Sequence, residues 1–465
     1  MKNKHIQMSN LLLTLSLLFN VIFMFGFYFA NTYIMFYVEL CLLICILIRV
    51  FIKKNYLIFL FIATFVFFQM ARLFLDFFGF IEDKWYRDYV GGLFDIDIQK
   101  HILLCFYLVL YAIFLSTYIT LKGNRLEKKS RYFCENNVNT SVSFVFCIIF
   151  FVPAVIKNLL AIKYVQTYGY YAYNASFSPP YILSVLSGMS YVYIYIYMTI
   201  TKKLNKLFII LYIVNFVTSL LIGARKDFVL YMLLLLFYIW NTKKTFSFKS
   251  IKKIIIPVLG VSLILLYVSF ARMESKMSIF KFNPFLFILD QQGVSIVVPG
   301  YTKVYEDEIP NKGIGYLFPY QIRMVTNLTG DTIDSSERKK DALEGFFLAK
   351  FLSYKVLGGR YVEGEGMGGS FISEIYYCFS YIGVFIVSFL LGLFMRYCED
   401  AKKHTLRYIC ILSCVFSLFY ISRSGLFDIY TQITSLKFWF AIFIYILVNE
   451  LFRFNLRDRN GGVLS

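Results

Sequence analysis

Apolar residues recur along the chain in runs of about twenty, separated by short polar breaks, and this pattern fixes the class before any single residue is considered. Twelve such runs are candidate membrane spans: residues 10–30, 33–52, 56–75, 99–121, 143–163, 181–201, 207–222, 228–241, 254–271, 369–396, 408–422 and 434–452. A helix of twenty residues covers the roughly 30 Å hydrocarbon core of a bilayer. The expected fold class is therefore all-α, a polytopic transmembrane helical protein. The first run follows Lys2 and Lys4 but has no small-residue cleavage site after it, and reads as a retained helix. Two runs, 207–222 and 228–240, are short, spanning roughly 20 to 24 Å as helices. The turn joining them, Gly223-Ala224-Arg225-Lys226-Asp227, is expected to be recessed below the membrane surface. An Arg there costs about 3 to 15 kcal/mol unless it faces a hydrated cavity or an anion.

The breaks set an orientation. With the N-terminus in the cytoplasm, basic clusters at 53–54, 122–131, 202–206, 243–253, 402–407 and 453–459 fall on one side, and the short loops opposite are poor in Lys and Arg. Both termini are then cytoplasmic. The organisation is uneven: residues 1–271 carry nine spans, 272–368 form one large extracytoplasmic loop, and 369–465 carry three spans and a cytoplasmic tail. The loop alternates apolar stretches with turn signals and reads as short helices lying over the membrane, as expected where a substrate's polar part is held above its lipid tail.

Composition agrees with this reading. Of the 465 residues 59% are hydrophobic and 16% charged, a balance that membrane spans explain and a soluble core does not. The net charge of +19 would suggest nucleic acid in a soluble domain. Here the juxtamembrane clusters account for most of it, and nucleic acid is not an expected partner. The nine cysteines lie in spans or on the cytoplasmic side, so they offer no extracytoplasmic disulfide framework.

The candidate chemistry is carried by arginines. Besides Arg225 and Lys226 there is a second recessed turn, Ser422-Arg423-Ser424-Gly425, and the large loop adds Arg272, Lys276, Arg323 and Arg360. A guanidinium fork makes paired, charge-assisted hydrogen bonds to phosphate oxygens. Converging arginines would hold a lipid diphosphate. The alternative is that Arg225 and Arg423 merely snorkel to the interface. Glu374, one turn into the tenth span, can accept a proton from a sugar hydroxyl, hold an arginine, or simply favour a helix N-terminus. Gly364, Gly366 and Gly369 satisfy G-x-G-x-x-G, but no strand precedes them, which excludes a dinucleotide fold; the stretch leads into a helix capped by Ser370. Asp95-Ile96-Asp97 resembles a metal-binding Asp-x-Asp, a weak pattern in an acid-rich loop. His5, His101 and His404 are scattered. No metal site or cofactor is expected.

The stretch Gly368-Gly369-Ser370-Phe371-Ile372-Ser373-Glu374-Ile375-Tyr376, continuing to Gly383, resembles the Gly-Gly-Ser-x-Ile-x-Glu-x-Tyr-x-x-Phe-Gly-x-x-Gly pattern of Wzy-type repeat-unit polymerases of O-antigen and capsule synthesis. Asp290-Gln291-Gln292-Gly293-Val294-Ser295 and the two arginine turns fall in the order such proteins use. The resemblance covers residues from 207 to the last span; Ser380 stands where the pattern has Gly. It implies a family C-like, metal-independent glycosyltransferase of the bacterial cytoplasmic membrane, acting on undecaprenyl-diphosphate-linked oligosaccharide at the extracytoplasmic face. In that setting Arg225 and Arg423 would hold the diphosphate, Lys226, Arg272, Arg323 and Arg360 would bind phosphate or glycan, and Glu374 would orient or deprotonate the acceptor. Its partners would be membrane lipids, a chain-length regulator and a flippase. Two other readings stay open, an O-antigen ligase with the same donor and a lipid-linked oligosaccharide flippase. The large loop and the lack of an internal repeat favour an enzyme over a transporter.

Overall fold

A computed structural model describes residues 2–80, 94–119, 132–201, 203–222, 225–243, 284–329, 338–401 and 403–459. Among these the regular elements are all helical. In chain order the long N-terminal helices are α1 (Lys2–Tyr28), α2 (Thr32–Lys53), α3 (Tyr56–Phe77), α4 (Ile96–Ser116), α5 (Asn137–Ser176), α6 (Tyr181–Ile200), α7 (Lys206–Ile222) and α8 (Arg225–Lys243). Short helices follow: α9 (Pro284–Gln292), α10 (Val297–Val304), α11 (Pro319–Thr329), α12 (Arg338–Glu344) and α13 (Leu348–Leu357). The chain then forms α14 (Phe371–Glu399), α15 (Leu406–Leu418) and α16 (Leu436–Arg459).

Eight described helices are long and apolar enough to cross a membrane, and shorter apolar stretches, Lys206–Ser219 and Val229–Thr242, lie in α7 and α8. The protein is a multi-pass membrane protein. The expected span 254–271 lies outside the described residues, as do Arg272 and Lys276.

The local chemistry of the helix ends is ordinary. Asn31, Asp95 and Asn136 each accept a hydrogen bond from a backbone N–H three residues on, the N-cap that helices starting after a polar break require. Lys54, at φ 58°, closes α2 in the left-handed conformation. Two departures from regular geometry matter more. Within α3, Val66–Met70 is a π-helical turn, an insertion frequently found at functional sites. Within α14, Ser380 sits at φ 56° and ψ −162° and breaks the helix. That region of backbone space belongs to glycine, and a serine occupies it at a cost of about 1–3 kcal/mol. The family pattern has Gly at this position, and the geometry supplies the reason.

The chain divides into two compact units. The first comprises Met1–Lys122, Lys276–Glu399 and Phe419–Asp428, and the second Gly123–Ser275, Asp400–Leu418 and Ile429–Ser465. The core of the first is built from α2, α3, α4 and α14, with Phe36, Phe61, Phe65 and Phe106 fully buried. In the second, Tyr191, Tyr212, Tyr231 and Phe416 pack ring against ring between α6, α7, α8 and α15.

Among its described residues the large loop forms short helices. Residues 284–304 pack into the first unit, where Asp290 pairs with Arg72 of α3 at 2.8 Å. A Cβ at Gly293 would lie 2.8 Å from the backbone nitrogen of Arg72, so only glycine permits this approach. Val297, Val298 and Tyr301 are buried behind it. The ion pair and the apolar face of α10 explain this packing.

Candidate functional site

The site in the first unit is built around the turn that carries Arg423. After α15 the chain forms a 3₁₀ turn over Ile421–Arg423 and a second over Leu426–Tyr430. The turn is fastened to the start of α14 at both ends. The Gly369 N–H donates to the Arg423 carbonyl at 3.1 Å. The Leu426 N–H donates to Glu374 Oε2 at 2.9 Å. A Cβ on Gly425 would fall 2.7 Å from Glu374 Oε1, so glycine is required for the carboxylate to reach the backbone beyond it. Asp428 closes the turn from within, accepting the Gly425 N–H at 3.2 Å.

Gln69, in the π-helical turn of α3, joins the same two segments. Its Nε2 donates to the Ser422 carbonyl and, at 3.3 Å, to the Ser370 hydroxyl. Its Oε1 and the Ser422 hydroxyl are buried without a partner among the described residues, so the joint keeps hydrogen-bonding capacity to spare. Ser370 directly precedes α14, as expected, with its hydroxyl engaged by Gln69.

Arg423 itself is half-buried. Its Nη1 donates to Gln292 Oε1 at 2.7 Å, and the guanidinium lies 5.9 Å from the centre of the Phe68 ring. Among the described residues no carboxylate pairs with it. This distinguishes it from Arg72, which Asp290 neutralises, and from Arg360, which makes two hydrogen bonds to Glu365 in an exposed position. A charge that is oriented by a neutral amide and not neutralised is suited to an external anion.

Arg323 on α11 is half-buried and likewise has no carboxylate partner among the described residues. It lies near Tyr320, whose phenol is pushed up chiefly by burial, then by the neighbouring charges of Asp428 and Glu374, with Arg323 acting in the opposite sense. Arg423, Glu374 and Arg323 thus belong to one neighbourhood of the first unit. Arg360 lies on a single helical turn, Gly359–Val362, with its charge already matched.

The remaining expected residues fall elsewhere. Arg225 is the first residue of α8 in the second unit, and Lys226 is exposed beside it. The Arg225 side chain, Gly223 and Ala224 lie outside what is described. Below them, Ile222 and Asp227 form part of the wall of a polar cavity within the second unit.

No group of three or more His, Cys, Asp or Glu side chains that could hold a metal occurs among the described residues. Asp95 is engaged as the N-cap of α4, and Asp97 pairs with Lys100 at 2.9 Å. His101 bonds the Tyr381 hydroxyl at 2.8 Å, and His404 the Phe133 carbonyl at 3.0 Å. The acidic pair therefore has structural work. Replacing both residues, Asp95→Asn with Asp97→Asn, is expected to leave activity near wild type in isolated membranes, since an asparagine caps a helix as well as aspartate. Activity lost in the double variant, and lost from wild type on chelation until Mn²⁺ is added, would contradict this.

Gln69, Arg72 and Asp428 were not singled out from sequence, and Gln292 only as a motif letter. A usable signal existed for the first two, polar side chains inside an otherwise apolar span.

A family model described as O-antigen polysaccharide polymerase Wzy matches residues 11–454, nearly the whole chain. The chain belongs to the Wzy polymerase family. No curated protein and no solved structure matches it. Membership in Wzy places the protein in polysaccharide and lipopolysaccharide synthesis and implies glycosyltransferase-type activity. The interlocked segments at Gly369–Glu374 and Ser422–Leu426 are those in which the Wzy resemblance was read.

Proposed function

We propose that the protein extends O-antigen or capsule polysaccharide by transferring a growing glycan from undecaprenyl diphosphate to the non-reducing end of an incoming lipid-linked repeat unit. The positive-inside pattern supports a reaction at the extracytoplasmic face of the cytoplasmic membrane, with both termini inside. The observation that carries the reading is Arg423: half-buried, aimed by Gln292, held in a turn anchored to α14, and without a carboxylate partner among the described residues.

In this reaction an acceptor hydroxyl attacks the anomeric carbon, the bond from that carbon to the diphosphate oxygen breaks, undecaprenyl diphosphate departs with the electron pair, and the hydroxyl proton passes to the departing diphosphate. Negative charge builds on the departing phosphate as the bond lengthens. A guanidinium positioned there before reaction stabilises that charge, which is where electrostatic catalysis is strongest. Diphosphate is already a good leaving group, so arginines suffice without Lewis-acid help. Arg423 and Arg225 are assigned to the diphosphate, and Lys226, Arg272, Arg323 and Arg360 to phosphate or glycan. Glu374 is assigned to positioning, because its Oε2 accepts the Leu426 N–H and its Oε1 lies close against Gly425.

Deleting the gene tests the reading against its neighbours. A polymerase predicts that single repeat units persist on lipid at the outer leaflet and are still attached to the final acceptor. Full-length polymer held on undecaprenyl diphosphate would indicate a ligase. Repeat units confined to the cytoplasmic leaflet would indicate a flippase.

A further inference from the structure

The second unit contains a cavity of about 100 Å³, formed by α5, α6, α7 and α8. Several waters fit in that volume, or one group of sugar size in their place. We propose that this cavity is a saccharide subsite, which takes one glycosyl residue of the lipid-linked substrate as a neutral polyol and not as an anion.

Three features of the wall point this way. The two charged side chains of its lining, Lys157 and Asp227, are of opposite sign, with the charges of Lys226 and Lys437 also reaching them, so the lining itself offers a phosphate no cluster of cations. A carboxylate and an ammonium in the same lining are well matched to hydroxyl groups, one accepting and the other donating. Asn158 adds an amide whose nitrogen is fixed by Thr218 Oγ1 at 2.9 Å. The aromatic side of the wall is supplied by Tyr173, Tyr191 and Tyr231, the last two with ring centroids 5.5 Å apart and nearly parallel. Flat rings beside hydrogen-bonding groups suit a pyranose, whose faces are apolar and whose rim is polar.

Its place in the chain adds a second line of argument. Ile222 and Asp227, the cavity residues nearest the recessed turn, flank Arg225 in sequence. In the orientation set by the basic loops this is the extracytoplasmic end of α5 to α8. A polar cavity among membrane-spanning helices is costly unless occupied or hydrated, and such groups are retained for function. Lys157 in particular is not explained by packing: it makes no hydrogen bond to the described residues, although it is partly buried in a span.

The inference rests on the polymerase reading for the identity of the sugar donor, and its test separates the two. The purified full-length protein in nanodiscs is titrated with two probes: the lipid-linked repeat unit that accumulates in cells lacking the gene, and bare undecaprenyl diphosphate. Lys157→Gln and Asp227→Asn are expected to weaken binding of the repeat unit about tenfold or more, the usual effect of losing a charged hydrogen-bond partner, while bare undecaprenyl diphosphate binds within about twofold of wild type. Ser219→Leu fills the cavity with apolar bulk that a membrane helix tolerates, and should show the same selectivity even where a charge variant folds poorly. Equal weakening of both probes would mean a phosphate site and overturn the proposal. Unchanged binding of both would mean a structural cavity and also overturn it. A wild-type protein that binds the repeat unit selectively but never elongates it would remove the polymerase reading and leave the subsite standing.

Discussion

Arg423→Lys is expected to insert into the membrane at a near-normal level and to slow chain elongation by about a hundred- to a thousandfold, so that single repeat units accumulate. The lysine keeps the charge but loses the planar fork. It also loses the aim, because Gln292 holds one terminal nitrogen of the guanidinium at 2.7 Å and so fixes where the others point. Removing one preorganised donor from a developing oxyanion costs about 3 to 4 kcal/mol, which is that range of rates. Arg225→Lys is expected to behave in the same way. Arg49→Lys serves as the control: among the described residues Arg49 makes one hydrogen bond, to Ser9 at 2.7 Å, and sits over the Tyr118 ring, both of which an ammonium can replace. If the arginines only snorkelled, all three variants would behave alike. Wild-type chain lengths from well-expressed Arg423→Lys protein would remove the diphosphate assignment.

The second large effect is expected at Glu374, and the two substitutions should part company. Glu374→Ala leaves the Leu426 N–H without its acceptor and opens space beside Gly425, so the turn carrying Arg423 loses its anchor. An unsatisfied buried donor costs about 1–3 kcal/mol, and displacement of a catalytic group by about 1 Å can cost a hundredfold in rate. Elongation should fall by about that factor. Glu374→Gln keeps an oxygen that can accept the same N–H, and should stay within about tenfold of wild type. Chain-length profiles and initial rates from membranes with equal protein content measure both. A general base predicts the opposite for glutamine, because an amide cannot take a proton; equal loss in the two variants would return Glu374 to the acid–base role considered from sequence.

Much of the architecture was legible because a membrane restricts the possibilities. Apolar runs of about twenty residues become helices such as α2 and α4, whose ends differ from the expected boundaries by a few residues. What hydropathy could not register was how residues 293–302 are packed by protein; Asp290 and Gln292 read as loop residues until Arg72 and Arg423 are seen opposite them.

The site was legible as a list and not as an arrangement. The Gly368–Glu374 stretch and the Ser422–Gly425 turn both stood out, yet nothing in the sequence showed that Gly369, Glu374 and Gln69 fasten one to the other. Charge content gave no way to rank the arginines either. Arg360 and Arg423 look equivalent as letters, but Glu365 satisfies the first while Gln292 only orients the second. Ser380 shows the converse case: the departure from the family pattern was visible, and its meaning, a positive φ inside α14, required the backbone.

The central claim is that this chain forms glycosidic bonds between lipid-linked repeat units, and the most direct measurement is turnover by the purified protein. Reconstituted in liposomes without other enzymes, with a chelator present, and given the undecaprenyl-diphosphate-linked repeat unit, it should produce a ladder of lipid-linked chains differing by one repeat unit, with one undecaprenyl diphosphate released for each bond formed. Transfer of the glycan only to a different acceptor, or movement of the repeat unit across the bilayer with no new bond, would contradict the account.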